Sequence, residues 1–143
     1  MRSIARFSLV ICSLLLPIAC EGASLDTIVC RVGKDGGSAA AGLADHLCEA
    51  AAEAANAREV SAAEMKAMLS SPQSADQPQK LHVVEIAFPS EREIAFTYSF
   101  GTAAEWNGQR EKRFDDLHID VMDSELNPAT VGMFADTIRR LSR

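Results

Sequence analysis

The rhythm of apolar and polar residues changes several times along this chain, and each rhythm predicts an element. The first stretch has no alternation. Arg2 and Arg6 precede an uncharged apolar run from Phe7 to Ala19, and small residues follow at Ala19, Cys20, Gly22 and Ala23. A basic start, an apolar core of about 7–15 residues and a small-residue exit predict a secretory signal peptide over residues 1–22. The run is too short for a membrane span, which takes about 20 apolar residues.

Leu25 to Val32 is short and β-branched, and the glycine-rich Gly33 to Gly37 closes it, so it reads as a strand and a turn. Ser38 can cap a following helix. That helix is expected from Ala39 to about Arg58, with Leu43, Leu47 and Ala51 at helical spacing. Ser61-Ala-Ala-Glu64 predicts a capping box opening a second helix, with Val60 and Met65 as its hydrophobic staple. Met65, Met68 and Leu69 form its apolar side, where Met serves as core filler. Ser70 to Gln79 is polar with two prolines and reads as an exposed loop.

Period-two alternation then takes over. Val84, Ile86 and Phe88 mark one strand, and Ile94, Phe96, Tyr98 and Phe100 a second, with small or polar residues between them. Asn107-Gly108 is a strong signal for a two-residue type I′ turn. That turn would pair Glu105 with Arg110, Tyr98 with Leu117, Phe96 with Ile119 and Ile94 with Val121. Phe114 and Asp115 then fall on the wrong faces, and a β-bulge near residues 101–115 would restore them. The chain closes with a helix. Asn127 caps it, Pro128 takes its first position, and Leu126 and Val131 can form a staple. Val131, Phe134, Ala135, Ile138 and Leu141 make its core stripe, and Arg139, Arg140 and Arg143 suit the negative end of its dipole. The expected fold is α+β in two layers. A three-stranded antiparallel meander, with room for a fourth strand from the N-terminal segment, is packed by helices on one face.

Composition adds compartment and excludes one function class. The chain has 143 residues, 48% hydrophobic and 24% charged, with a net charge of −6. That is globular composition of about one domain. The acidic balance argues against nucleic acid as a partner, since phosphate contacts need a basic face. Residues 1–22 contain Arg2, Arg6 and Glu21. Removing them takes Lys plus Arg from 14 to 12 and Asp plus Glu from 20 to 19, leaving −7 on the 121 residues 23–143, read as a single exported domain. Of four cysteines, Cys12 and Cys20 lie in the leader, and Cys30 and Cys48 remain. In an exported chain these two are expected to form a disulfide, because their spacing fits neither a C-x-x-C redox motif nor a zinc knuckle. Cys20 also allows a bacterial lipoprotein anchor, although Pro17 stands where such signals carry an aliphatic residue. Only that anchor would bring the chain to a membrane.

Candidate chemistry is sparse. His118 and Asp120 share one strand face, and Glu85 can join them from another strand, a set that suits a divalent metal or acid–base hydrolysis. His, Asp and Glu are equally ordinary on a solvated sheet face, and that reading is preferred. His82 reads as a residue at the edge of the core and His46 as exposed. The glycine run before Ser38 could cradle an anion at a helix start, but it lacks the spacing of a P-loop or dinucleotide fingerprint. No G-x-S-x-G occurs. Trp106 beside Arg110, Lys112 and Arg113 has the composition of a binding hot spot at a hairpin tip, unless Trp106 folds back over the core. These readings lead to an exported, periplasmic or secreted, non-enzymatic binding protein. Its partner would be a protein or envelope component and it would need no cofactor. A hydrolase centred on His118 and a lipoprotein anchored at Cys20 are the alternatives. Nothing in the pattern specifies an oligomeric state.

Overall fold

The computed structural model describes residues 25–34, 38–121 and 126–143, less the side chains at 38–41 and 74–75. The expected signal peptide, Cys20 and the Ser38 cap hydroxyl lie outside the described residues. The order is β1 (Asp26–Val32), α1 (Ser38–Ala55), β2 (Ala57–Glu59), α2 (Ala62–Ser70), β3 (Lys80–Ser90), β4 (Glu93–Thr102), α3 (Ala103–Asn107), β5 (Lys112–Asp120) and α4 (Pro128–Leu141). The polar stretch before β3 holds one 3₁₀ turn, Pro72–Asp76. The fold is α+β. Among the described residues one mixed sheet runs in the order β2-β1-β3-β4-β5.

The antiparallel meander β3-β4-β5 is present, and β1 joins it, but as a parallel neighbour of β3. A further parallel strand, β2, flanks β1 on its other side. The expected long first helix hid β2. Asn56 takes a left-handed backbone (φ 51°) just past α1 and turns the chain straight into β2. Asn tolerates that conformation at a helix end better than other non-glycine residues. With α1 as its crossover, β1-α1-β2 is a compact parallel unit.

The helices occupy both faces, which corrects the two-layer expectation. On one face, here the core face, α1 and α4 cover Ile28, Val84, Ile86, Phe96 and Tyr98. Ala51, Ala54 and Ala55 line the inner side of α1 and let it sit close to the strands. Phe134 and Ile138 from α4 are fully buried, and the Phe134 ring meets Phe96 edge-on at 4.9 Å. On the opposite, outer face, α2 and α3 bury Val29 and Leu81 beneath Met65, Val60 and Ala103. The physical reason lies in β1 and β3. Ile28 and Val29 on β1, and Leu81, Val83 and Val84 on β3, put apolar side chains on both faces, as strands covered on both sides require.

The β4–β5 connection is not a two-residue hairpin. Thr102 caps α3, its hydroxyl accepting from Glu105 N–H while the Glu105 carboxylate accepts from Thr102 N–H at 2.7 Å. That reciprocal cap outcompetes the Asn-Gly turn, and Gly108 ends the helix with φ −89° instead of a left-handed value. The strands therefore pair Ile94 with Ile119, Phe96 with Leu117 and Tyr98 with Phe114. A register shift falls between Phe96 and Tyr98, and Asp116 takes φ 56° opposite it. The expected bulge exists there and puts Phe114 against the core.

The Ser61 hydroxyl accepts from Glu64 N–H as expected. The Glu64 carboxylate instead takes the Arg58 guanidinium at 3.0 Å. The final helix matches its signals, with Asn127 capping, Pro128 at the start and Leu126 buried.

Cys30 and Cys48 form a disulfide with their Cα atoms 5.6 Å apart, tying β1 to α1. Closing a loop of this length contributes about 3 kcal/mol by restricting the unfolded chain.

Candidate functional site: an open trough on the outer sheet face

Only part of the outer face is covered. Past α2 the uncovered or partly covered strand positions include small side chains: Ala87 on β3, and Ala95 and Thr97 on β4, with Ser99 buried further along. Two depressions result, of about 430 and 560 Å³. The first lies over Ala87 and Ala95 and reaches His118; the second lies between α2 and Ser99, with Trp106 and Arg113 at its rim. Arg31, Glu85 and Thr97 line both, so the two join into one trough across β1, β3 and β4.

The floor is small and apolar at Ala87 and Ala95, and an ion pair crosses its middle. Arg31 and Glu85 pair at 3.0 Å across the middle, both about half exposed. Lys66 of α2 and Arg113 of β5 both line the second depression. Arg113 is held by Asp115 at 2.7 Å, which raises its already high pKa. The trough thus offers apolar floor contacts between charged groups that are already partnered or freely hydrated.

The residues expected at the hairpin tip divide. Trp106 folds back, half-buried against Met65 and Leu81, and its indole N–H donates to the Leu81 carbonyl at 2.9 Å. One edge of the ring still borders the trough, beside Arg113. Lys112 pairs with Phe100 and carries its ammonium 5.5 Å from that ring, on the core-face side, away from Arg113. Arg110 is exposed in the turn after α3.

The metal or acid–base set does not assemble as expected. Glu85 is two strands from His118, roughly 10 Å on the usual strand spacing, and is paired with Arg31. The His118 Nδ1 lies 2.7 Å from a Glu93 oxygen instead, and Asp120 stands opposite Glu93. Among the described residues no three His, Cys, Asp or Glu side chains come together to hold a metal.

One polar cluster went unforeseen. His82 is fully buried on the core face, its Nδ1 2.6 Å from the Tyr98 hydroxyl and its Nε2 3.3 Å from Asp26. Burial lowers the His82 pKa, against a smaller upward pull from Asp26. Burial likewise raises the Tyr98 pKa. A neutral imidazole accepting from Tyr98 and donating to Asp26 satisfies both nitrogens. The other Asp26 oxygen accepts from Lys80 N–H at 2.9 Å. The His82 ring stacks on its cross-strand neighbour Phe100, and the cluster, with Asp26 at its partly exposed end, joins β1, β3 and β4. The phase of His82 with Val84 and Ile86 is the signal that could have located it.

No protein-family model, curated protein or solved structure matches the chain.

Proposed function

We propose that this protein is an exported, non-enzymatic binding module of the bacterial envelope. It takes a protein or envelope component against the open trough of its sheet. One observation carries the reading: the same strands that pack large side chains under α1 and α4 present Ala87, Ala95 and Thr97 to an uncovered concave surface. Concavity with an apolar floor and a few convergent polar groups is how binding sites are built. Trp106 and Arg113 contribute its rim, while Arg110 and Lys112 add positive charge around the neighbouring turn. The disulfide supports an oxidising compartment.

Site-specific photo-crosslinking tests the surface. A crosslinker at Lys66, exposed beside the trough, should trap one discrete envelope partner, and a crosslinker at Glu49, on the exposed side of α1, should not. Equal or absent adducts at both positions overturn the trough as the binding surface. Intact mass tests export. A chain beginning near Ala23, with two thiols appearing only on reduction, is expected. A chain beginning at Cys20 with acyl groups would make it a lipoprotein, and a full-length chain with free thiols would overturn export.

A further inference from the structure

We propose a second binding site, separate from the trough: the free edge of β5 and the adjoining face of α4 take an extended acidic peptide segment as an added strand. β5 ends the sheet, so one of its edges has no strand partner among the described residues. Val121 N–H donates to the Arg92 carbonyl at 2.9 Å, so Val121, and Ile119 with it, turn their backbone groups toward β4. Antiparallel alternation then points the N–H and C=O of His118 and Asp120 outward. The bulge at Asp116 ends this straight edge on one side. Charged residues guard the part before it, Lys112, Arg113 and Asp115 around Phe114.

The straight part faces a cleft. A cavity of about 780 Å³ lies between the β5 residues His118, Ile119 and Asp120 and, on the other side, Met133 and Arg140 of α4 with Arg143 just beyond its end. A free strand edge walled by a helix is the geometry of β-augmentation. Main-chain bonds hold the peptide, and alternate side chains set its specificity.

Charge selects the occupant. The chain is acidic overall, at −6, yet Arg139, Arg140 and Arg143 gather at this cleft. Asp136 holds Arg139. Arg140 and Arg143 form no ion pair among the described residues. Met133, 54% exposed, adds an apolar contact. A strand laid on His118 and Asp120 sends every second side chain toward α4, and carboxylates there would meet Arg140 and Arg143. Anionic lipid headgroups could use the same guanidinium groups, but they would not engage the backbone edge.

The test uses the disulfide-bonded protein and a short end-blocked peptide alternating Glu and Thr, with a Lys and Thr peptide as control. Fluorescence anisotropy should show binding of the acidic peptide alone. Asp120→Pro removes an outward N–H without touching the β4 ladder, and should weaken binding at least about tenfold, the effect of ~1.4 kcal/mol. Arg140→Ala with Arg143→Ala should do the same. Amide exchange at His118 and Asp120 should slow when peptide is added, whereas Thr97→Phe, which fills the trough, should leave peptide affinity unchanged. No binding at about 1 mM, a weak contact of ~4 kcal/mol, overturns the proposal. Binding that survives Asp120→Pro, or unchanged exchange at those two amides, also overturns it. Should Asp120→Pro fail to fold, amide exchange in the unaltered protein decides alone.

Discussion

The two faces of the sheet are made by the same strands and obey different rules. On the core face Ile28, Val84, Ile94 and Tyr98 are fully buried, and even the polar His82 has both nitrogens partnered. On the outer face the neighbouring residues in the same strands are Glu85, Ala87, Ala95 and Thr97, all at least partly exposed. Packing dictates the first set, since interior side chains interdigitate at crystal-like density and every methylene counts. It leaves the second set free. A surface released from packing can be shaped for contact, and here it is concave and lined with small groups.

The largest break in this comparison should come from Phe134→Ala. It empties a sealed site on the core face and should cost about 3–5 kcal/mol of stability by chemical denaturation. A loss below 1 kcal/mol would mean that α4 is not seated as described. Replacing both Cys30 and Cys48 with Ala should cost about 2–4 kcal/mol, again on the core-face side, measured by the same titration.

The next effect is a pH dependence. His82 has a lowered pKa in the folded state, so the unfolded chain binds the proton more readily. Stability should be fully present above the unfolded value of about 6.5 and fall as pH drops below it. Melting temperature from pH 7.5 to 5.5 should show that fall, and His82→Gln should flatten it. An equal slope in the variant would assign the effect to other groups.

Trp106→Phe tests the covered part of the outer face. It removes the bond to the Leu81 carbonyl and should cost about 1 kcal/mol. The smallest effect belongs to Thr97→Phe, within about 0.5 kcal/mol of neutral because its site is open. That substitution should nonetheless abolish crosslinking to a partner through the trough. A large loss of stability there would show that the outer face is packed after all.

Elements with strong local chemistry were readable in sequence. Asn127-Pro128, the Ser61 hydroxyl cap, the period-two runs through Phe100 and the Cys30–Cys48 pair all stand where their signals put them. What failed was competition between local signals and assembly between distant ones. Thr102 with Glu105 was a capping box hidden behind the more conspicuous Asn107-Gly108. Three residues of β2 were too few to show a period, and they pair only because α1 returns them beside β1. Of the candidate site, Trp106 and Arg113 were named from composition. The trough itself depends on where α2 stops covering β3 and β4, which no run of residues announces.

The parallel pairing of β1 with β3 divides the molecule into two halves with different mechanical character. One half, β1-α1-β2, is covalently closed by its disulfide; the other, β3 to β5, is a run of antiparallel neighbours. Between them lies a seam crossed by the β1–β3 ladder, by Asp26 with His82 and Lys80, by Arg31 with Glu85, and by α1 against α4. No disulfide among the described residues spans it, and the chain itself joins the halves only through α2 and the turn before β3. The two halves resemble a book whose left-hand pages are stitched and whose right-hand pages are only folded. Reduction would loosen one cover and leave the spine unchanged.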